Sequence, residues 1–213
     1  MSDEIRPPQQ DRSRKLLERM LGATIQILCE EGLDGATIPA IAAKAAISPA
    51  SVYRRFKDKD ALLRAAFLQV LDIGGSEAPR FLAPTIFAEL SLEEACARLV
   101  RLLFMQYRGA PKLLKAFTRF YESQADTGFR SSALDRLKQN FAHLTGALLA
   151  TKEMVGRLGA ERASALGLLA VTNAIETIVL EPDSLWSILQ PTTDEEIQAD
   201  LARMLVAYLR SSS

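Results

Sequence analysis

Histidine is nearly absent from this 213-residue sequence: there is one, His143, accompanied by only two cysteines and one tryptophan. A metal centre or a histidine-based acid–base pair needs several such groups converging, so the composition argues against both. The HExxH and GxSxG patterns are missing as well. No catalytic residue, metal or cofactor is expected, and His143 reads as a packed or surface residue in the middle of a long helix. Charge of one sign is also lacking in excess, since 26 Lys and Arg oppose 26 Asp and Glu for a formal net charge of zero. That balance excludes a generally basic coat for nucleic acid, yet leaves room for a local basic face. No uninterrupted apolar run approaches the ~18 residues that cross a bilayer, so no membrane partner is expected. The opening MSDEIRPPQQD lacks the apolar stretch of a secretory signal. Cys29 and Cys96 have no CxxC spacing and both fall in apolar helical patterns, which predicts buried free thiols in a reducing cytoplasm.

What is present is ordinary globular composition, 48% apolar and 24% charged, patterned as helix after helix with no competing strand signal. The fold class is therefore all-α. Residues 1–12, polar with paired prolines, read as a flexible arm. Leu17, Met20, Leu21, Thr24, Ile25 and Leu28 recur at helical spacing in a helix over about 11–31, closed by Gly32 in a left-handed cap. Thr37 can cap a short second helix, and Ser48 a short third one with Pro49 in its first position. Asp58 can cap a longer helix from Lys59 to Gly74–Gly75, after which the Gly- and Pro-richer stretch 74–90 reads as a hinge. Ser91 and Glu94 have capping-box spacing. Further helices are expected over 111–121, 131–151, 161–180 and 193–209.

The informative unit is residues 13–58. Two short helices joined only by a few residues form a helix-turn-helix, whose second helix enters the major groove. The residue types suit that task. Ser48 and Ser51 carry hydroxyls for phosphates or bases, and Ala50 is small enough for close approach. Tyr53 can donate to a phosphate, while Arg54 and Arg55 reach phosphates or guanine edges. Lys59 starts the next helix beside the same strand. Ile41, Ala45, Val52 and Phe56 supply the apolar side that joins the short helices.

The run GATIPAIAAKAAISPASVYRRFKDKDALLRAAF resembles the DNA-binding signature of the tetracycline-repressor (TetR) family, matching at Ala36-Thr37, Ile41-Ala42, Ser48, Ser51, Tyr53, Phe56 and Lys59. The resemblance implies that Thr37, Ser48, Ser51, Tyr53 and Lys59 hold the phosphate backbone, with Pro49 on the same face. Ala50, Arg54 and Arg55 would then face the bases. It implies a helical ligand-binding and dimerisation region over 59–213 and a homodimer paired through its last two long helices. The residues agree with that pairing: Ile197, Leu201, Met204, Leu205 and Tyr208 form a stripe, and Leu166, Ala170 and Ala174 lie on a helix rich in small residues. Two positions depart from the family pattern. Ala46 stands where glycine is usual, at a cost of about 1 kcal/mol if the backbone there is left-handed, and Pro49 replaces a polar residue.

The function so implied is a ligand-responsive transcriptional regulator, a repressor that binds a palindromic double-stranded DNA operator as a homodimer in the cytoplasm. A small-molecule effector, hydrophobic or amphipathic, would release it. Candidates to line the effector pocket are Phe104, Met105, Phe117, Phe120, Tyr121, Phe141 and Trp186, although each taken singly reads first as core. The alternative is an all-helical small-molecule-binding protein or enzyme whose helix-turn-helix no longer binds DNA.

Overall fold

The helix starts follow the capping residues. The computed structural model describes residues 9–189 and 193–211, and among these it contains eleven helices and no strand. They are α1 (Gln9–Gly35), α2 (Ile38–Lys44), α3 (Pro49–Tyr53), α4 (Lys59–Leu82), α5 (Pro84–Phe87), α6 (Leu92–Gly109), α7 (Pro111–Ser123), α8 (Thr127–Leu149), α9 (Ala160–Leu180), α10 (Leu185–Leu189) and α11 (Asp194–Ser211). Thr37 accepts from the Ala40 N–H at 3.3 Å, Ser48 from the Ser51 N–H at 3.2 Å, and Asp58 from the Ala61 N–H at 2.7 Å. Ser91 and Glu94 close both arms of their capping box. Each cap contributes about 1 kcal/mol by satisfying an N–H that the helix leaves unpaired.

Several boundaries differ from the expectation. Residues 9–12 belong to the first turns of α1 rather than to an arm, and residues 1–8 lie outside the described residues. Gly32 has positive φ as expected, but with φ 75° and ψ −161° it is a mirror-extended kink, not a left-handed cap, and one more turn follows to Gly35. Gly74 and Gly75 do not end α4, which runs on through Pro79 to Leu82. The reason is a close approach: a Cβ on Gly75 would lie 2.6 Å from Asn140 Oδ1, and Asn140 donates to the Leu71 carbonyl at 3.0 Å. Glycine here lets α8 press on α4, which outweighs its weak helix propensity. α8 starts earlier than expected because Asp126 caps it, accepting from the Phe129 N–H at 2.9 Å. Cys96 is buried, but Cys29 sits beside the apolar stripe of α1 and is exposed; neither is in a disulfide.

The apolar side chains form two cores. The first joins α1, α2, α3 and the front of α4 through Ile27, Leu28, Ile41, Val52, Leu62 and Phe67. It does not stop at residue 58, because Leu113, Ala116 and Phe120 of α7 and Phe129 of α8 belong to it. Phe67 is its hub, with ring centroids 5.4 Å from Phe117 and 5.2 Å from Phe120. The second core holds α5, α6, the end of α8, α9 and α11 together. α9 runs through it, with Leu168, Val171 and Ile175 buried, and its mean hydropathy of 1.7 makes it long and apolar enough to cross a membrane by length and composition, with half of that window buried inside the chain. A Cβ on Gly167 would lie 2.7 Å from Leu205, so α9 and α11 meet at a glycine.

Arg64 fastens the two regions at the front of α4. Its guanidinium donates to Gln124 Oε1 at 3.0 Å and lies 3.5 Å from Asp126 and 4.0 Å from Asp58. Asp58 and Asp126 are the N-caps of α4 and α8, so one cation ties both helix starts together.

Two outcomes follow from this packing. Gly32→Ala forces a side chain into backbone space that only glycine occupies readily, and should cost about 1–3 kcal/mol, read as a lower urea midpoint at unchanged slope. Burial pushes the Cys96 thiol up to about 12, so an aromatic disulfide reagent should label one thiol, Cys29, in the native protein and both in denaturant. Burial and then Glu30 also raise the Cys29 thiol, so native labelling should quicken as pH rises and thiolate forms.

Candidate nucleic-acid interface

The link between α2 and α3 is a Schellman motif. The Ile47 N–H reaches back to the Ala42 carbonyl at 2.9 Å, and the Ala46 N–H to the Ala43 carbonyl at 3.0 Å. That geometry needs a left-handed residue between them, and Ala46 adopts it at φ 51°. The turn therefore keeps the conformation in which glycine is usual, at the cost of a Cβ. Arg19 of α1 donates to the Ala46 carbonyl at 3.1 Å and, more closely, to that of Ala45.

α3 buries Val52 and turns its other residues outward. Pro49, Ala50, Tyr53, Arg54 and Arg55 are exposed, with Tyr53 at 57%. Ser48 is occupied by its capping bond, and its Oγ lies 2.9 Å from Ser51 Oγ. Ser51 Oγ also accepts from Arg54 at 2.8 Å, which holds that guanidinium along the outer face of α3. Arg55 turns toward α1 instead and donates to Ser13 Oγ at 2.8 Å, so it stands apart from Arg54. Thr37 caps α2 from an exposed position, and Lys59 is half-buried at the start of α4.

Sequence reasoning missed the contribution of α1. The Ser13–Arg55 bond brings the first turns of α1 to the end of α3. There Arg12 and Lys15 are exposed and form no ion pair among the described residues. The signal was available: Arg12, Lys15 and Arg19 stand at i, i+3 and i+7, one face of a helix. Arg12 and Lys15 thus add exposed cations beside the end of α3, while Arg19 is engaged at the turn between α2 and α3.

Behind this unit the seven pocket candidates do not form one group. Phe117, Phe120 and Tyr121 belong to the aromatic group around Phe67 in the first core. Phe104 is buried in the second core and Phe141 packs against it, while Met105 is 62% exposed and Trp186 39%. They are split because α7 packs toward α1 and α4, whereas α6 faces α9 and α11. Two open clefts are lined by other residues. One of about 390 Å³ between α7 and α9 is bordered by Lys115, Thr118, Asn173 and Glu176. One of about 220 Å³ between α4 and α8 is bordered by Asp72, Arg136, Asn140 and His143, with Arg136 and Asp72 paired at 2.7 Å.

The interface candidates divide too. Leu166, Ala170 and Met204 are exposed, and Ala174, Ile197 and Tyr208 are half-buried. Leu201 and Leu205 are not outward-facing: at 3% and 2% exposure they hold α11 to its own chain. The apolar stripe of α11 is thus wide enough to serve the core on one edge and present Met204 on the other. Leu169 is also exposed on α9.

Residues 20–66 match the model of the bacterial regulatory proteins, tetR family. Uncharacterized HTH-type transcriptional regulators of Mycobacterium bovis and Mycobacterium tuberculosis are 44% identical over 50 residues, 24% of this chain. That match spans a quarter of their own length. Solved structures share the fold across nearly the whole chain. The transcriptional regulator FadR from Bacillus subtilis, in complex with stearoyl-CoA, has a TM-score of 0.60 at 16% identity, covering 92% of this chain and 98% of that one. A TetR-family transcriptional regulator from Mesorhizobium loti reaches 0.62 at 19% identity over 94% and 96%. A transcriptional regulator from Pseudomonas aeruginosa reaches 0.61 at 19% identity over 99% and 97%. The helix-turn-helix of α2 and α3 lies inside residues 20–66, the segment that is similar to the bacterial regulatory proteins of the tetR family.

Proposed function

We propose that this chain is a cytoplasmic transcriptional repressor that binds a palindromic double-stranded operator as a homodimer and is released by a small-molecule effector. The observation that carries the reading is α3, capped by Ser48, closed against the core by Val52 and presenting Ala50, Tyr53 and Arg54 outward. In this reading Thr37, Ser51, Tyr53 and Lys59 meet phosphates, and Arg54, held by Ser51, reaches a base edge beside Ala50. Arg55, turned to Ser13, joins the α1 side of the footprint. A neutral chain can bind this polyanion because the cations gather locally.

The dimer is supported by the outward apolar side chains of α9 and α11, where Leu166, Leu169, Ala170 and Met204 lack an intrachain cover. Two copies would set two α3 helices in successive major grooves, about 34–36 Å apart. An effector that favours a different spacing of those helices shifts the population away from the DNA-competent form. Arg64 suits the transmission, since it links the start of α8 to the cap of α4 next to Lys59. An amphipathic acyl ligand is the effector class supported by the likeness to the Bacillus subtilis regulator bound to stearoyl-CoA. No catalytic step is assigned.

The purified protein should shift a palindrome from its own promoter, with affinity falling steeply as salt rises. Tyr53→Phe with Lys59→Ala should weaken binding to all duplexes alike and reduce the log–log salt slope by about 0.9 for the lost cation, at unchanged helicity by circular dichroism. Full affinity in that double variant would remove both residues from the interface. Leu166→Glu with Met204→Glu should convert a dimer to a folded monomer in sedimentation velocity; a persisting dimer would place the interface elsewhere.

A further inference from the structure

The turn between α2 and α3 contains the one non-glycine residue at positive φ among the described residues, Ala46. It is also the point on which the direction of α3 depends, because α3 has five residues and buries only Val52. The Schellman bonds satisfy the Ala42 and Ala43 carbonyls but not those of Ala45 and Ala46, which lie at the negative end of α2. Arg19 fills that gap from α1. Its Nη2 donates to both carbonyls, across 26 and 27 residues of sequence. The guanidinium pairs with no carboxylate among the described residues, so its charge is directed at the turn. Lys44, the other cation at this end of α2, is engaged with Glu30 instead.

We propose that Arg19 is a positioning residue for DNA recognition: it pins the left-handed turn at Ala46 and so fixes the angle of α3, without itself contacting DNA. The device compensates for the missing glycine. A glycine turn is left-handed without strain, whereas an alanine turn has other conformations available at lower local energy. Two charge-assisted hydrogen bonds to the flanking carbonyls select the conformer that α3 needs. This inference rests on the DNA-binding reading above.

The test uses the full-length chain and a duplex enriched by the wild-type protein from a random-sequence pool. Arg19→Gln, Arg19→Lys, Ala46→Gly and Arg19→Gln/Ala46→Gly are compared at a temperature where circular dichroism shows each variant folded. Arg19→Gln should lose roughly tenfold or more in affinity, the scale of a lost charged hydrogen bond, at an unchanged salt slope. Arg19→Lys, which keeps the charge but loses the reach and planarity of the guanidinium, should fall between. Ala46→Gly alone should bind like wild type, and in the Arg19→Gln background it should restore much of the affinity. That rescue is what a merely structural role of Arg19 would not produce. Wild-type affinity in Arg19→Gln, or a loss that Ala46→Gly leaves untouched, overturns the proposal. So does a salt slope reduced by about 0.9, which marks a direct phosphate contact. A wild-type protein that enriches no sequence overturns the DNA-binding reading itself, a result distinct from all of these.

Discussion

α3 spans Pro49–Tyr53 and buries a single side chain, so everything that fixes its direction is supplied from outside it. Five residues are too few to hold a helix in water, let alone aim one. Ser48 satisfies its first turn, Val52 anchors it beside Ile41 and Ala42, and the Schellman turn sets where it starts. The turn in turn leans on α1 through Arg19. The outward face of α3 therefore depends on a backbone conformation that alanine adopts only under constraint. The polar residues of the face are free to vary only within that frame.

The second constraint is that the N-terminal unit has no core of its own. Phe67 of α4 is buried among Phe117 and Phe120 of α7, and Phe120 in turn stacks edge-on with Phe129 of α8. A displacement of α7 or α8 is felt at α4, because close-packed aromatic rings do not yield continuously. Arg64 adds a polar tie at the same place, and Lys112 donates to the Glu30 carbonyl of α1 at 2.7 Å. Farther along α4, Gly75 admits Asn140 and Asp72 meets Arg136. α4 is thus held along its length by α8, the arrangement a signal between the two cores would use.

Much of this was legible locally. Thr37, Ser48, Asp58 and the Ser91–Glu94 pair act within four residues of themselves, so their capping roles can be read from order alone. The apolar period of α1 placed Met20, Leu21, Thr24 and Leu28 in the core for the same reason. The errors lie where distant residues decide. Gly75 looked like a helix end until Asn140 arrived beside it, and Leu201 and Leu205 looked like interface until α6 and α9 covered them. The seven pocket candidates, six aromatic residues and Met105, could not be sorted by spacing, since any of them satisfies the same periodicity whichever neighbour it meets.

The division between the two sources is physical. By itself the sequence determined the all-helical class, the three-helix unit with its short turn, and the cations and tyrosine at its surface. These follow from backbone capping, side-chain period and turn chemistry, all short-ranged. Only the tertiary structure decided that Arg55 joins Ser13 while Arg54 stays with Ser51, and that Arg19 secures Ala46. Those partners are set by how α1 crosses the short helices, and a guanidinium on a long side chain takes whichever acceptor that crossing brings within reach.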